Sequence, residues 1–266
     1  MILFSLSKAS CLRTRLGLCG FAFFISCGEV AQQRVDIPLF VSGTSLSQEL
    51  RTQDDLSVEL MSAQLAFGPL YLCAGERAGD LCETARLEWL ETTVIDGLAS
   101  IPREVGRLKG LSGQVRSWMF DLGISSQYTR STPYILPAAK ELGGASIKLE
   151  LRVQLEDHPL RIIAALPLQQ TEETELGVPI IRKSDSEHFE HDVHAGDQGL
   201  LVRIDPSLWV KSINIGSILV DLGCDDATLE CELPEQYEIQ AGSRTYRGLR
   251  NSVLSSARPI LDWVSK

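Results

Sequence analysis

Hydrophobic and polar residues alternate along much of the chain, a period of two that is typical of β-strands with one buried face. The clearest run is Ile147 to Leu155, where every second residue is apolar. Asp157-His158-Pro159 follows it, and residues 160–167 are predicted to return as the second strand of a hairpin. An earlier run from Leu56 to Phe67 ends at Gly68-Pro69, where a bend or bulge is expected.

Shorter apolar runs predict further strands, separated by turn residues at fairly regular intervals. A second hairpin is predicted to join residues 187–194 to residues 199–204. Two short helices are predicted near the C-terminal end, one starting at Asp205-Pro206 and one running from Ser243 to about Ser255. Many strands and few helices predict a mainly β fold, an antiparallel β-sandwich. The remaining predicted strands are residues 70–72, 85–90, 92–95, 113–123 and 259–263.

The sequence contains none of the common catalytic motifs. It has no Gly-x-Ser-x-Gly nucleophile elbow, no His-Glu-x-x-His and no dinucleotide-binding fingerprint. Gly106, Gly110 and Gly113 have the wrong spacing for a phosphate-binding loop and are expected to mark a turn between strands. The sequence therefore indicates a protein that is not an enzyme, with a secreted hydrolase of unrecognised site as one alternative.

The tryptophans are candidates either for the core or for a ligand-binding surface. Each lies in a segment with apolar periodicity, so packing in the core is the predicted role. A surface that binds carbohydrate or lipid is the alternative. These residues are Trp89, Trp118, Trp209 and Trp263.

Acidic residues outnumber basic ones, with 35 Asp and Glu against 25 Lys and Arg and a formal net charge of −10. The acids are dispersed along the chain and are not gathered in a tail. Such a charge disfavours binding to nucleic acid and to anionic membrane surfaces. The sequence therefore predicts no nucleic-acid partner.

The first 26 residues have the pattern of an export signal. Lys8, Arg13 and Arg15 form a basic segment without acids, and an apolar run follows from Leu16 to Ile25. That run is too short to span a membrane as a helix. Removal of residues 1–26 would take away three basic residues and no acid, which changes the net charge from −10 to −13.

The segment Phe24-Ile25-Ser26-Cys27 resembles the lipobox of bacterial lipoproteins, in which a branched apolar residue lies three places before a cysteine and small residues directly precede it. The serine matches that pattern, whereas phenylalanine stands where leucine is usual. The resemblance implies cleavage before Cys27, acylation of that residue and stable anchoring through several acyl chains. Gly28 implies transfer to the outer membrane. An ordinary secreted protein cut near Ala31 is the alternative.

Three segments are predicted along the chain. Residues 1–26 are the signal peptide, and residues 27–53 are expected to form a flexible tether because they are polar and carry Pro38, Gly43 and several Ser and Gln. Residues 54–266 are predicted to form a single β-sandwich-like domain, since that length can bury a substantial core.

Four cysteines remain after cleavage and lipidation of Cys27. An even number in an oxidising compartment predicts two disulfides. Three pairings can form, and local closure of Cys73 with Cys82 and of Cys224 with Cys231 is favoured because each pair flanks a short loop. A thiolate metal site is the alternative, although the sequence has no Cys-x-x-Cys motif.

Residues 187–194 hold three of the four histidines among acidic neighbours. Imidazole and carboxylate groups bind zinc and copper, so His188, His191 and His194 are the candidate metal ligands. A regular strand would place His188 and His194 about 20 Å apart at ~3.3 Å per residue, too far to share an ion. Metal binding therefore requires a loop here. Otherwise the segment is a polar strand face with His191 half-buried, and no cofactor is predicted.

The predicted function is that of a membrane-anchored envelope lipoprotein that acts as a non-enzymatic binding or structural module. Besides the lipid anchor in the membrane, its expected partner is an envelope protein, a glycan or a small ligand. The alternative is a periplasmic zinc- or copper-binding lipoprotein that uses the segment from His188 to His194. The predicted location is the bacterial cell envelope, at the outer membrane.

Overall fold

The computed structural model describes residues 32–44, 50–75, 85–125, 134–155, 158–168, 182–185, 190–224, 233–254 and 258–264. Within these ranges strands predominate, and the helices are few and short. The prediction of a mainly β fold with few helices is confirmed. The strands form two large sheets and two small two-stranded sheets.

The elements follow one another along the chain with short strands between the long ones. The strands are β1 (Arg34–Ser42), β2 (Leu50–Arg51), β3 (Ser57–Phe67), β4 (Leu70–Cys73), β5 (Ala85–Trp89), β6 (Thr93–Asp96), β7 (Arg103–Leu111), β8 (Gly113–Val115), β9 (Ser117–Asp121), β10 (Ile124–Ser125), β11 (Tyr134–Ile135), β12 (Ile147–Leu155), β13 (His158–Leu166), β14 (Arg182–Asp185), β15 (His191–Val193), β16 (Leu200–Arg203), β17 (Gln236–Glu238) and β18 (Ile260–Trp263). The helices are α1 (Pro137–Glu141), α2 (Ser207–Val210), α3 (Ile215–Asp221) and α4 (Arg244–Leu254). In the described part of the chain, no helix has the length and apolar character needed to cross a membrane.

The larger sheet has eight strands in the spatial order β14-β9-β4-β5-β7-β1-β16-β18. Its neighbours are antiparallel except for β1 and β16, which pair in parallel from Leu39 opposite Leu200 to Ser42 opposite Arg203. Strand β18 then pairs with β16 in the antiparallel sense, with Trp263 opposite Leu200. Strand β16 thus lies between β1 from the start of the described domain and β18 from its end.

The smaller sheet has the order β17-β13-β12-β3-β2, and β6 also pairs with β3. Strands β12 and β13 pair in register from Ile147 opposite Leu166 to Leu155 opposite His158. The predicted hairpin is therefore confirmed. Strand β17 pairs with β13 in parallel, so both large sheets are mixed, although most of their pairs are antiparallel.

The two large sheets share one hydrophobic core, to which both contribute alternate side chains. Leu39 in β1, Leu65 in β3 and Leu149 in β12 are all buried within it. The bend predicted at Gly68-Pro69 is the point where the chain passes from β3 in the smaller sheet to β4 in the larger one. Helices α2, α3 and α4 add Trp209, Ile218 and Leu249 to the same core.

The prediction of a flexible tether over residues 27–53 is wrong for residues 34–42, which form β1 between β7 and β16 near the middle of the larger sheet. Apolar residues alternate with polar ones along β1, and the apolar set is buried. Pro38 stands opposite Arg107 of β7 and directly before the point where pairing with β16 begins at Leu39. The buried set is Val35, Ile37, Leu39 and Val41.

The second predicted hairpin is also wrong. Strand β15 pairs with β8, whereas β16 lies between β1 and β18 in the larger sheet. Strands of three and four residues carry too little local pattern to specify a partner. Their partners here, β8 and β1, are distant in sequence. The prediction that Gly106 and Gly110 mark a turn is also wrong, because both residues lie within strand β7. At Gly110 an added Cβ would lie 1.8 Å from the Arg86 carbonyl oxygen, so only glycine allows this approach of β5.

Both predicted helices are present as α2 and α4. The backbone N–H of Ser207 donates to Asp205 Oδ1 at 3.0 Å, which is the capping role expected of Asp205. Helices α1 and α3 were not predicted. Helix α1 starts at Pro137, and α3 is capped by Asn214, whose Oδ1 accepts from the Ser217 N–H at 2.6 Å.

Candidate functional site

The candidate site lies where the small sheet of β8 and β15 meets the end of β18. His191 is the first residue of β15 and stands opposite Val115 of β8. Trp263 is the last residue of β18 in the larger sheet. We call His191, Asp197 and Trp263 the His191 cluster.

A carboxylate holds the His191 imidazole. Nε2 of His191 lies 3.0 Å from Oδ2 of Asp197, and the same oxygen accepts the backbone N–H of His194 at 3.0 Å. The backbone N–H of Asp197 in turn donates to the His194 carbonyl, which closes a tight turn. The Asp197 side chain is 19% exposed and that of His191 is 30% exposed. The turn therefore places one largely shielded carboxylate to accept two hydrogen bonds.

The His191 ring also stacks on the indole of Trp263. Their ring centroids are 4.0 Å apart and their planes differ by 19°. Trp263 is partly buried against the core. Because one ring face and one ring nitrogen are both engaged, the orientation of His191 is set by two contacts from different parts of the chain.

The hydrogen bond to Asp197 has a chemical consequence for the other ring nitrogen. An imidazole that donates Nε2–H to a carboxylate carries a lone pair on Nδ1. Nδ1 makes no hydrogen bond to the residues that the structure describes. His191 therefore presents one nitrogen that can accept a hydrogen bond or bind a metal ion.

Charged residues around the His191 cluster face solvent. Nε2 of His194 is 3.5 Å from Oδ2 of Asp192, and both side chains are 65% exposed. Glu190 lies 3.9 Å from Nε of Arg116 on the neighbouring β8–β9 segment. Exposed pairs of this kind contribute little to stability, so the cluster is surrounded by a solvated, mixed-charge rim.

The structure brings together only part of the metal site that the sequence predicts. His191 and His194 both contact Asp197, one through its ring and the other through its backbone N–H. His188 lies outside the described residues. Among the residues that are described, no three His, Cys, Asp or Glu side chains are placed to hold one metal ion.

Sequence reasoning missed Asp197 and Trp263 as members of the site. Asp197 lies in the segment Ala195-Gly196-Asp197, which is typical of a turn, so its proximity to His194 had a local signal. No local signal pointed to Trp263, because it was predicted to pack in the core and lies 72 positions after His191 in the sequence. Trp89, Trp118 and Trp209 are buried as expected.

The cysteine sites are only partly within the described ranges. Cys73 at the end of β4 and Cys224 after α3 are both disulfide-bonded and buried. Cys82, Cys231 and the predicted lipidation site Cys27 lie outside the described residues. Both cysteines in the described part of the chain therefore serve as structural cross-links.

Comparison with known proteins gives little further information. No protein-family model matches the chain, and no curated protein matches its sequence. Among solved structures, the chain is similar to MbnP from Methylosinus trichosporium, with 11% sequence identity and a TM-score of 0.34 over 69% of this chain and 79% of that chain. A likeness of that size supports no inference about ligand or function.

Proposed function

We propose that this protein is an exported envelope lipoprotein, anchored through Cys27, whose β-rich domain acts as a non-enzymatic binding or structural module. The observation that carries this proposal is that Cys73 and Cys224 are both disulfide-bonded. Disulfides persist in oxidising compartments outside the cytosol. The basic and apolar segments of residues 1–26 supply the route to such a compartment.

The anchor is supported by the lipobox-like residues that end at Cys27. Several acyl chains on one cysteine are sufficient for stable attachment to a membrane. The partner of the anchored domain is, on this proposal, an envelope protein, a glycan or a small ligand. The net charge of −13 after cleavage makes nucleic acid an unfavourable partner.

The test is the intact mass of the protein extracted from its own membrane, compared with a Cys27→Ala variant. The expected wild-type mass begins at Cys27 and includes added acyl chains, whereas the variant carries none. Cys11→Ala is the matched control, because Cys11 lies in the segment that is removed. A wild-type protein that begins near Ala31 without acyl chains would contradict the anchor and leave an ordinary secreted protein.

Metal binding is a second candidate function, favoured by the contact between His191 and Asp197. Metal-binding histidines characteristically donate their other ring N–H to a carboxylate, which orients the ring and increases its basicity. In the described residues His191 meets that condition through Nε2, with Nδ1 left for an ion. His194 is the nearest further imidazole in sequence, but its ring is turned toward Asp192.

Calorimetric titration with zinc and with copper tests this second function. His191→Ala should abolish binding if the cluster holds the ion, whereas His158→Ala should not change it. His158 is the matched control because it is exposed at the start of β13 in the smaller sheet. Equal affinity in wild type and His191→Ala would exclude His191 as a ligand.

A further inference from the structure

An open cavity lies between α3 and the start of α4. Its volume is about 350 Å³, which is at the lower end of the range for small-molecule sites. None of its lining residues belongs to the His191 cluster. They are Asn214, Gly216, Ser217, Val220, Asp221 and Arg244.

Two opposite charges line this cavity without pairing with each other. Arg244, the first residue of α4, is exposed and makes no hydrogen bond or ion pair within the described residues. Asp221, the last residue of α3, lies more than 4.0 Å from it, since no ion pair joins them. A guanidinium group has five donors arranged as a fork that matches a carboxylate. All five N–H donors of the Arg244 guanidinium are therefore available to a ligand in the cavity.

Asp221 is held by a neighbour that leaves one of its oxygens free. The Tyr237 hydroxyl donates to Oδ2 of Asp221 at 3.2 Å. Burial, together with the charge of Asp221 and this hydrogen bond, raises the pKa of Tyr237. The phenol consequently stays protonated and continues to donate at neutral pH, and Oδ1 of Asp221 has no partner among the described residues.

The neutral polar groups of the cavity are also largely unused. Oδ1 of Asn214 is engaged as the cap of α3, but its amide NH₂ and the Ser217 hydroxyl make no hydrogen bond within the described residues. The Gly216 N–H already donates to Oδ2 of Asp54 at 2.7 Å. Because the start of α3 is thus capped by two side chains, the attraction for an anion comes from Arg244 and not from the helix end.

We propose that this cavity binds a small zwitterion, a free amino acid or short peptide, with its carboxylate on Arg244 and its ammonium group on Asp221. The Ser217 hydroxyl and the Asn214 amide NH₂ donate further hydrogen bonds to the carboxylate of the ligand. Val220, which is 56% exposed, supplies an apolar contact for the carbon skeleton. One ligand with both charges satisfies Arg244 and Asp221 together, whereas an ion of one sign would leave the opposite charge unpaired.

Calorimetric titration of the full-length protein with L-alanyl-L-alanine tests the proposal. Two derivatives serve as probes that each lack one charge, namely the N-acetylated dipeptide and the dipeptide amide. Wild type should bind the dipeptide at micromolar to millimolar concentration. Each single-charge derivative should bind at least about tenfold more weakly, because one charge-assisted hydrogen-bonded contact is lost.

The variants Arg244→Gln and Asp221→Asn should each weaken dipeptide binding by about tenfold or more. Arg250→Gln is the matched control, because Arg250 is on the same helix but does not line the cavity. Circular dichroism confirms that each variant is folded. Absence of binding to wild type at millimolar dipeptide would overturn the proposal. Equal binding of the single-charge derivatives, or equal loss in Arg250→Gln, would overturn it as well.

Discussion

The tryptophans of this protein occupy two different kinds of surroundings. Trp89 and Trp118 are buried beside Phe67 and Phe120, with ring centroids 5.0 to 6.4 Å apart along the stack. Trp263 is partly buried and stacks instead on His191 at 4.0 Å. In the first region the rings add apolar contact to the core. In the second region an indole orients a polar group that has a free nitrogen.

The difference shows how one residue type serves both stability and site geometry. The aromatic stack joins β3 of the smaller sheet to β5 and β9 of the larger one through buried side chains. The His191 cluster lies at the end of the larger sheet, where a turn and a terminal strand meet. Substitutions in the two regions should therefore differ in both size and kind of effect.

The largest effect is expected for Phe67→Ala in the aromatic stack. Phe67 is fully buried between Trp89 and Phe120, so its removal leaves a cavity in the core and should cost about 3–5 kcal/mol of the free energy of unfolding. Urea unfolding followed by circular dichroism measures it. Met61→Ala on the same strand is the control, because Met61 is exposed and its loss should change stability by less than about 0.5 kcal/mol. Similar losses in the two variants would show that the stack is not a core element.

A smaller effect, of about 1–2 kcal/mol, is expected for Asp197→Ala in the His191 cluster. The change removes the acceptor of two hydrogen bonds and frees the His191 ring from one of its two contacts. The tryptophan fluorescence of the protein, to which Trp263 contributes, should therefore change along with the free energy of unfolding. Asp262→Ala provides the comparison on β18, since Asp262 is 46% exposed and pairs with Arg203 on the surface. If both variants lose equal stability, Asp197 has no special role in the cluster.

The smallest effect is expected on the outer face of the smaller sheet. Nε of Arg161 donates to Oε1 of Glu150 at 2.7 Å, and this hydrogen bond, together with the charges of Arg161, Arg152 and Lys148, lowers the pKa of Glu150. A carboxyl group whose pKa is lower in the folded than in the unfolded state stabilises the fold above its unfolded pKa. That stabilisation is lost as the pH falls through the lowered value.

Glu150→Gln should accordingly reduce stability slightly at neutral pH and have no effect in acid below the lowered pKa. Urea unfolding of wild type and variant, once at neutral pH and once in acid below the lowered pKa of Glu150, tests this. Glu59→Gln is a useful comparison, because Glu59 pairs with Arg152 at 3.2 Å but is 63% exposed and should contribute less. A difference between wild type and Glu150→Gln that persists unchanged into acid would rule out the ion pair as its source.

Long local patterns were sufficient to predict several elements. The strict alternation of residues 147–155 and the turn after it determine the hairpin of β12 and β13, because both the buried face and the partner are specified within one short segment. Helix α2 was predicted from Asp205 and Pro206, and α4 from the apolar spacing of Tyr246, Leu249 and Val253. Strand β1 was missed although Val35, Ile37, Leu39 and Val41 alternate as clearly, since Pro38, Gly43 and the polar residues around them resembled a tether.

By itself, the sequence determined that the fold is mainly β, that the strand of residues 147–155 has one apolar face, and that residues 187–194 carry histidines and acids. Only the tertiary structure decided that β15 pairs with β8, that β16 joins β1 in parallel, and that Trp263 stacks on His191. The physical reason is that periodicity specifies the face a residue presents, whereas the neighbour it meets depends on pairing between distant strands. The same holds for Arg244 and Asp221, which line one cavity only because α3 and α4 pack together.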